Sequence, residues 1–199
     1  MTLSESDTAA LSADEKPTAP HLPGDLAMWV MVLGDLFFFG CYFLAYMVFR
    51  DRSLPEFAAA QRRLEMGIGV TNTLVLLTSS MFMAAAVQAV RRGAIGTGRR
   101  LVWATGACGV IFVGLKAFEW HREISAGNTV GNEFFSFYYA LTGIHLAHLV
   151  LGLLILGVVL RELRERARRR PSLVEQGATY WHMIDLLWVV IFAILYCMR

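Results

Sequence analysis

Residues 134–160 read FFSFYYALTGIHLAHLVLGLLILGVVL, 27 residues without a single Asp, Glu, Lys or Arg. Coiled as a helix at about 1.5 Å per residue, the run reaches about 40 Å, more than the ~30 Å of bilayer hydrocarbon. Only helices and closed barrels satisfy their backbone polar groups inside lipid, so the run predicts a membrane-spanning helix. Four further apolar runs of similar length, about 26–49, 69–90, 101–120 and 179–198, carry the same prediction. The composition of the 199 residues agrees, with 56% apolar against 17% charged side chains and a mean hydropathy of +0.51. The expected fold is an all-α polytopic membrane protein, a bundle of five transmembrane helices. A tail and four short connections remain outside it, too little for a separate soluble catalytic or nucleotide-binding domain.

Residues 1–25 carry Glu5, Asp7, Asp14, Glu15 and Asp25 against Lys16, with prolines at 17, 20 and 23 and no apolar core. They read as a disordered tail ahead of a membrane domain at 26–198, and not as a cleaved signal peptide. Five spans put this tail and the second and fourth connections on one side, with eleven Lys and Arg there and six on the other. The positive-inside rule then places the N-terminus in the cytoplasm and the C-terminus outside. Six arginines between 161 and 170 invite a nucleic-acid reading, yet a basic segment after a span follows from topology alone and can touch anionic lipid headgroups; no nucleic-acid partner is expected. Cys41, Cys108 and Cys197 lie within the apolar runs without metal spacing and read as small buried hydrophobes.

The informative residues are those that lipid excludes: Asp35, Asn72, Lys116, Glu119, His145, His148, His182 and Asp185. Counting rise from the cytoplasmic helix ends puts His182, Asp185 and Asp35 at depths of about 5, 9 and 14 Å. His148 falls at about 18 Å, His145 and Lys116 at about 22 Å, and Glu119 at about 27 Å. Two layers are expected, an inner one joining Asp35 to His182 and Asp185, and an outer one joining Lys116 and Glu119 to His145 and His148 near Asn72. Asp35 stands alone among phenylalanines and is the candidate for a proton-linked or carbodiimide-reactive carboxyl. Hydrogen bonding between helices is the simpler role for Asn72, Thr73, His145 and His148, and snorkelling to the outer interface for Lys116. Di-iron bundles place Glu-x-x-His pairs at matching depth, whereas Glu119 and His182 differ by roughly 20 Å, so no metal site is expected. Gly143 and Ala147, four apart, are candidates for close helix approach, and Trp29, Trp120 and Trp181 for interfacial anchors, with Trp103 equally placed.

Read in order, these residues resemble the subunit III proteins of haem-copper respiratory oxidases. Helix 1 has Asp35-Leu36-Phe37-Phe38-Phe39-Gly40, helix 2 begins Asn72-Thr73-Leu74, and helix 3 ends Lys116-Ala117-Phe118-Glu119-Trp120. Helix 4 gives Thr142-Gly143-Ile144-His145-Leu146-Ala147-His148 with Gly152, and helix 5 gives Tyr180-Trp181-His182-Met183-Ile184-Asp185-Leu186-Leu187-Trp188. Long members of the family have seven helices where five are found here; Asp35 stands where the family has glutamate, and Lys116 where it has glutamine. Met28-Trp29-Val30, Leu77-Thr78-Ser79-Ser80, Lys116 and Leu195-Tyr196-Cys197-Met198-Arg199 are most similar to the short accessory proteins of nitric oxide reductase.

The resemblance implies a non-catalytic subunit of a cytochrome c oxidase-like complex in the aerobic electron transport chain of a bacterial plasma membrane. It would pack beside the haem-bearing subunit I, with subunit II in the same complex, and support stability and proton uptake. Haem and copper would lie in subunit I, with bound phospholipid as this chain's own expected company. In that reading Asp35, Glu119, His145, His148, His182 and Asp185 form the polar interior, and Asn72, Lys116, Gly143, Trp181 and Trp188 serve between helices or at the interface. Three span histidines and no CxxCH are too few to ligate a haem pair and copper, in keeping with catalysis elsewhere. The alternatives are an accessory protein of nitric oxide reductase in denitrification and, further off, a freestanding proton-coupled carrier. Against the carrier, five spans cannot form two equal repeats and all prolines lie outside them.

Overall fold

A computed structural model describes residues 26–164 and 171–198, so the tail at 1–25 lies outside the described residues. All regular structure described is helical: α1 Leu26–Arg52, α2 Leu54–Gln61, α3 Met66–Arg91, α4 Ile95–Ser125, α5 Glu133–Arg164 and α6 Pro171–Phe192, which runs on into a π-helical turn, Ala193–Cys197. Five of these are long and apolar enough to cross a membrane. They extend past the apolar runs because a helix does not end where the hydrocarbon does; α4 starts at Ile95 and α6 at Pro171, a residue suited to the first helical position. The eight-residue α2 was not expected, and it is too short to span. Its Phe57 and Ala60 are buried, so it closes one end of the bundle.

Helices α3, α4, α5 and α6 form a closed ring in which each packs on the next and α6 returns to α3. α1 lies outside the ring against α6 and α5, and the α3–α4 hairpin is the most extensive contact. Glycines at left-handed φ end two ring helices: Gly93 at +79° after α3 and Gly127 at +82° after α4. In each case the glycine N–H and the next N–H return to carbonyls of the last turn (Gly93 to Val90 and Ala94 to Ala89; Gly127 to Ile124 and Asn128 to Glu123), satisfying acceptors that would otherwise be orphaned.

Trp181 of α6 is fully buried and touches the other three ring helices. Its indole N–H donates to Ser79 Oγ at 3.0 Å on α3, and its ring fills notches at Gly109 of α4 and Gly152 of α5. A Cβ at Gly109 would come within 2.8 Å of that ring. This corrects two expectations. Trp181 is a core residue and not an interfacial anchor, and close approach is made at Gly109 and Gly152, whereas Gly143 has only ordinary contact with Trp120 and Ala147 is exposed. The cysteines are also corrected: Cys41 and Cys197 are exposed and Cys108 half-buried, because a thiol is apolar enough to face lipid.

Candidate functional site: polar groups inside and beside the ring

Lys116 is completely buried on α4 and holds three hydrogen-bond partners with its three N–H groups. Nζ donates to Glu119 Oε2 at 2.9 Å, Tyr138 OH at 3.1 Å and Tyr196 OH at 3.0 Å. Tyr196 in turn donates to Glu119 Oε1. The rings of Tyr138, Trp188 and Tyr196 lie 4.6, 5.2 and 5.5 Å from Nζ, within cation–π reach. One ammonium, one carboxylate and two phenols from three parts of the chain thus satisfy one another in a site shut off from lipid. Lys116 therefore does not snorkel to the interface: its partners are inside the protein. The π-turn presents Tyr196 here, and Gly69 of α3 makes room, since a Cβ there would lie 2.8 Å from the Tyr196 ring.

His145 is fully buried on α5, and its ring packs against Phe112 and Trp188 at centroid distances of 5.7 and 5.2 Å. Neither ring nitrogen has a protein hydrogen-bond partner, and the same is true of both Asn72 amide atoms. The expected bonding between helices is therefore absent from Asn72 and His145. It comes from Thr73, whose Oγ1 accepts from Trp188 Nε1 at 3.1 Å, joining α3 to α6.

The expected layers are rearranged. Asp35 of α1 meets His148 of α5, with Oδ1 to Nε2 at 3.5 Å, and does not join His182 or Asp185. His148 consequently leaves the Lys116 cluster. A count of rise gave depth but not azimuth, and α1 packs on α5 where residue 148 points outward from the ring. His148 Nδ1 lies 2.8 Å from its own Ile144 carbonyl, which can only accept, so Nδ1 carries a proton. The remaining Nε2 is the ring nitrogen that faces Asp35 Oδ1. The pair is about a quarter exposed on each side, and Phe39 stacks edgewise on the imidazole at 5.6 Å.

His182 and Asp185 of α6 share their setting with Ser80 of α3. Ser80 Oγ lies 2.7 Å from His182 Nδ1 and neighbours Asp185, whose two oxygens complete no protein hydrogen bond. The span histidines thus stand in three separate settings. Outside the spans, Gln61 escaped the sequence reading although it is fully buried: its amide donates to the carbonyls of Ile194 at 3.0 Å and Leu195 at 3.1 Å. Tyr138, Ser79 and Ser80 were also missed, because a hydroxyl in an apolar run gives no sign of its distant partner.

A family model described as cytochrome c oxidase subunit III matches residues 24–199. Cytochrome c oxidase subunit 3 of Thermostichus vulcanus is 29% identical over 196 residues, covering 96% of this chain and 95% of the relative. The protein of the same name from a Synechocystis strain is 30% identical over 212 residues, covering 98% and 89%. A protein of Aeropyrum pernix named heme-copper oxidase subunit I+III is 27% identical over 184 residues, which are 85% of this chain and 22% of that one. These relatives lend no support to the nitric oxide reductase or carrier readings. With all five spans inside the matched region, the chain belongs to the cytochrome c oxidase subunit III family, a multi-pass bacterial membrane protein and subunit III of a haem-copper oxidase.

Proposed function

We propose that this chain is a non-catalytic subunit that packs beside the haem-bearing subunit I, with its N-terminus in the cytoplasm, and supports the stability and proton uptake of that partner. Haem and copper belong to the partner in this reading, and the present chain supplies protonatable groups within the membrane. The observation that carries it is the Asp35–His148 pair: two titratable side chains facing each other on the outer side of the helix ring, part-exposed at the junction of α1 and α5. A lipid-facing surface excludes such a pair, whereas a protein neighbour can receive it. A relative whose name joins subunits I and III in one chain supports subunit I as that neighbour. Separation of the histidines among three settings supports a non-catalytic role, since no two of them converge on one point.

Purification of the tagged protein from native membranes in mild detergent, with a reduced-minus-oxidised haem spectrum and mass spectrometry of the companions, tests the partnership. A-type haem together with oxidase subunits I and II is the expected result. Only b- and c-type haem with nitric oxide reductase, or a colourless solitary protein, would overturn it.

A further inference from the structure

The tyrosines of the membrane domain differ in what their phenol protons face. Tyr139 and Tyr180 donate to backbone carbonyls, those of Asn128 and His148, and a carbonyl is too weak a base to keep a proton. Tyr196 donates to a carboxylate, Glu119 Oε1, and both residues are completely buried. Lys116 reaches the other oxygen of Glu119 at 2.9 Å and donates to the Tyr196 oxygen at 3.0 Å. The phenol therefore has a base for its proton and a cation beside its oxygen, both in hydrogen-bond reach.

That arrangement bears on redox chemistry, because a phenol that loses an electron becomes a strong acid. With a base already holding the hydrogen bond, proton and electron can leave together. The charge left behind then rests on Lys116, which is bonded to two phenol oxygens and lies within cation–π reach of Tyr138 and Trp188. A route also leads away from this point. Tyr138, whose oxygen accepts from the same lysine nitrogen, precedes Tyr139 in the chain, and their rings lie 5.1 Å apart. The Tyr139 ring lies 5.7 Å from that of Trp120, which is half-buried toward the end of α4. Tyrosine and tryptophan are the aromatic side chains that give up one electron most readily, and here they follow one another without a gap.

We propose that Tyr196 is redox-active: it passes one electron, by way of Tyr138, Tyr139 and Trp120, to a one-electron oxidant outside this chain, and its phenol proton to Glu119. The O–H bond of Tyr196 breaks and a bond from that hydrogen to Glu119 Oε1 forms, leaving a neutral phenoxyl radical, a carboxylic acid and the ammonium of Lys116. One electron returned along the same route, with the proton moving back, restores the site. The oxidant is a high-potential haem of the complex, and for that source alone the inference rests on the partnership proposed above.

The test uses the assembled complex with Tyr196 replaced by a ring-fluorinated tyrosine, which keeps the phenol and its hydrogen bonds. Fluorine adds its own splitting to the electron paramagnetic resonance spectrum of a radical on that ring. Frozen after brief exposure to hydrogen peroxide, this complex should show a radical split more widely than that of the unmodified complex, and the same replacement at Tyr180 should change nothing. Trp120→Phe should lower the radical yield several-fold. Flash oxidation by a ruthenium(III) polypyridyl in solution repeats the comparison without calling on haem. Identical spectra with and without fluorine at position 196 under both oxidants would overturn the proposal, and an unchanged yield in Trp120→Phe would overturn the route. Splitting under ruthenium but not under peroxide would overturn haem as the source. A preparation that carries no haem would overturn the partnership, and the ruthenium arm would still decide the tyrosine.

Discussion

A lysine enclosed by protein on every side must find its partners there, and Lys116 finds Glu119 within its own helix and Tyr138 and Tyr196 from 22 and 80 residues away. The first was legible as a spacing of three; the phenols were not, because nothing in an apolar run says which hydroxyl a fold will bring near. Removing one partner leaves the other charge buried and unpaired, so Lys116→Met should cost about 3–5 kcal/mol. Adding Glu119→Gln should restore most of that loss, since the pair as a whole is worth much less than either half alone. Thermal unfolding of the detergent-solubilised protein measures both, and a double variant as unstable as the single one would show that the loss is packing and not charge. Asp35 makes a different case. Asp35→Asn can still donate to a bare Nε2 of His148, so assembly should be kept, but no proton can be passed through the amide. Turnover and proton uptake of the purified complex should fall while its subunit content is unchanged; normal turnover would reduce Asp35 to a packing residue.

At the scale of elements, the number and type of helices were legible because each apolar run exceeds the length that lipid demands, whereas rotation about the helix axis was not. That is why Asp35 was assigned to His182 and Asp185 and is found with His148. Glycines fix the rotation of the ring. Gly109→Ala drives a Cβ to 2.8 Å from the Trp181 ring and should cost about 1–3 kcal/mol. Gly106→Ala, on the same helix with nothing within 4 Å of the added Cβ, should instead be neutral or stabilising by about 0.5–1 kcal/mol. Comparing the two melting temperatures isolates the notch from helix propensity. The C-terminal turn depends on a residue outside every span: Gln61 holds the carbonyls of Ile194 and Leu195, and Arg50 holds that of Met198 at 2.6 Å. These are acceptors of the last described turn, met by side chains. Gln61→Leu should therefore raise hydrogen–deuterium exchange at amides 193–198 several-fold and leave α3 and α4 unchanged.

For the molecule as a whole, alternate connections lie on opposite faces, and the two faces differ in basic residues by eleven to six. The excess is concentrated in the α3–α4 and α5–α6 connections, both short enough for charge to set their side during insertion. On the same side, Arg99 and Arg100 of α4 and Arg161 and Arg164 of α5 line one groove. Orientation follows as a measurable outcome. With Cys41, Cys108 and Cys197 replaced by serine, a lone thiol from Ala126→Cys, exposed just past α4, should react with a membrane-impermeant maleimide in intact spheroplasts. A lone thiol from Arg92→Cys, exposed between α3 and α4, should react only after the membrane is opened. The reverse pattern would put the arginine-rich face outside, remove the charge argument for the N-terminal side, and turn the face of α2 and the C-terminal turn toward the cytoplasm. Labelling at both positions before permeabilisation would mean that the chain does not hold a single orientation, and that neighbouring subunits, not its own arginines, fix the side on which it is read.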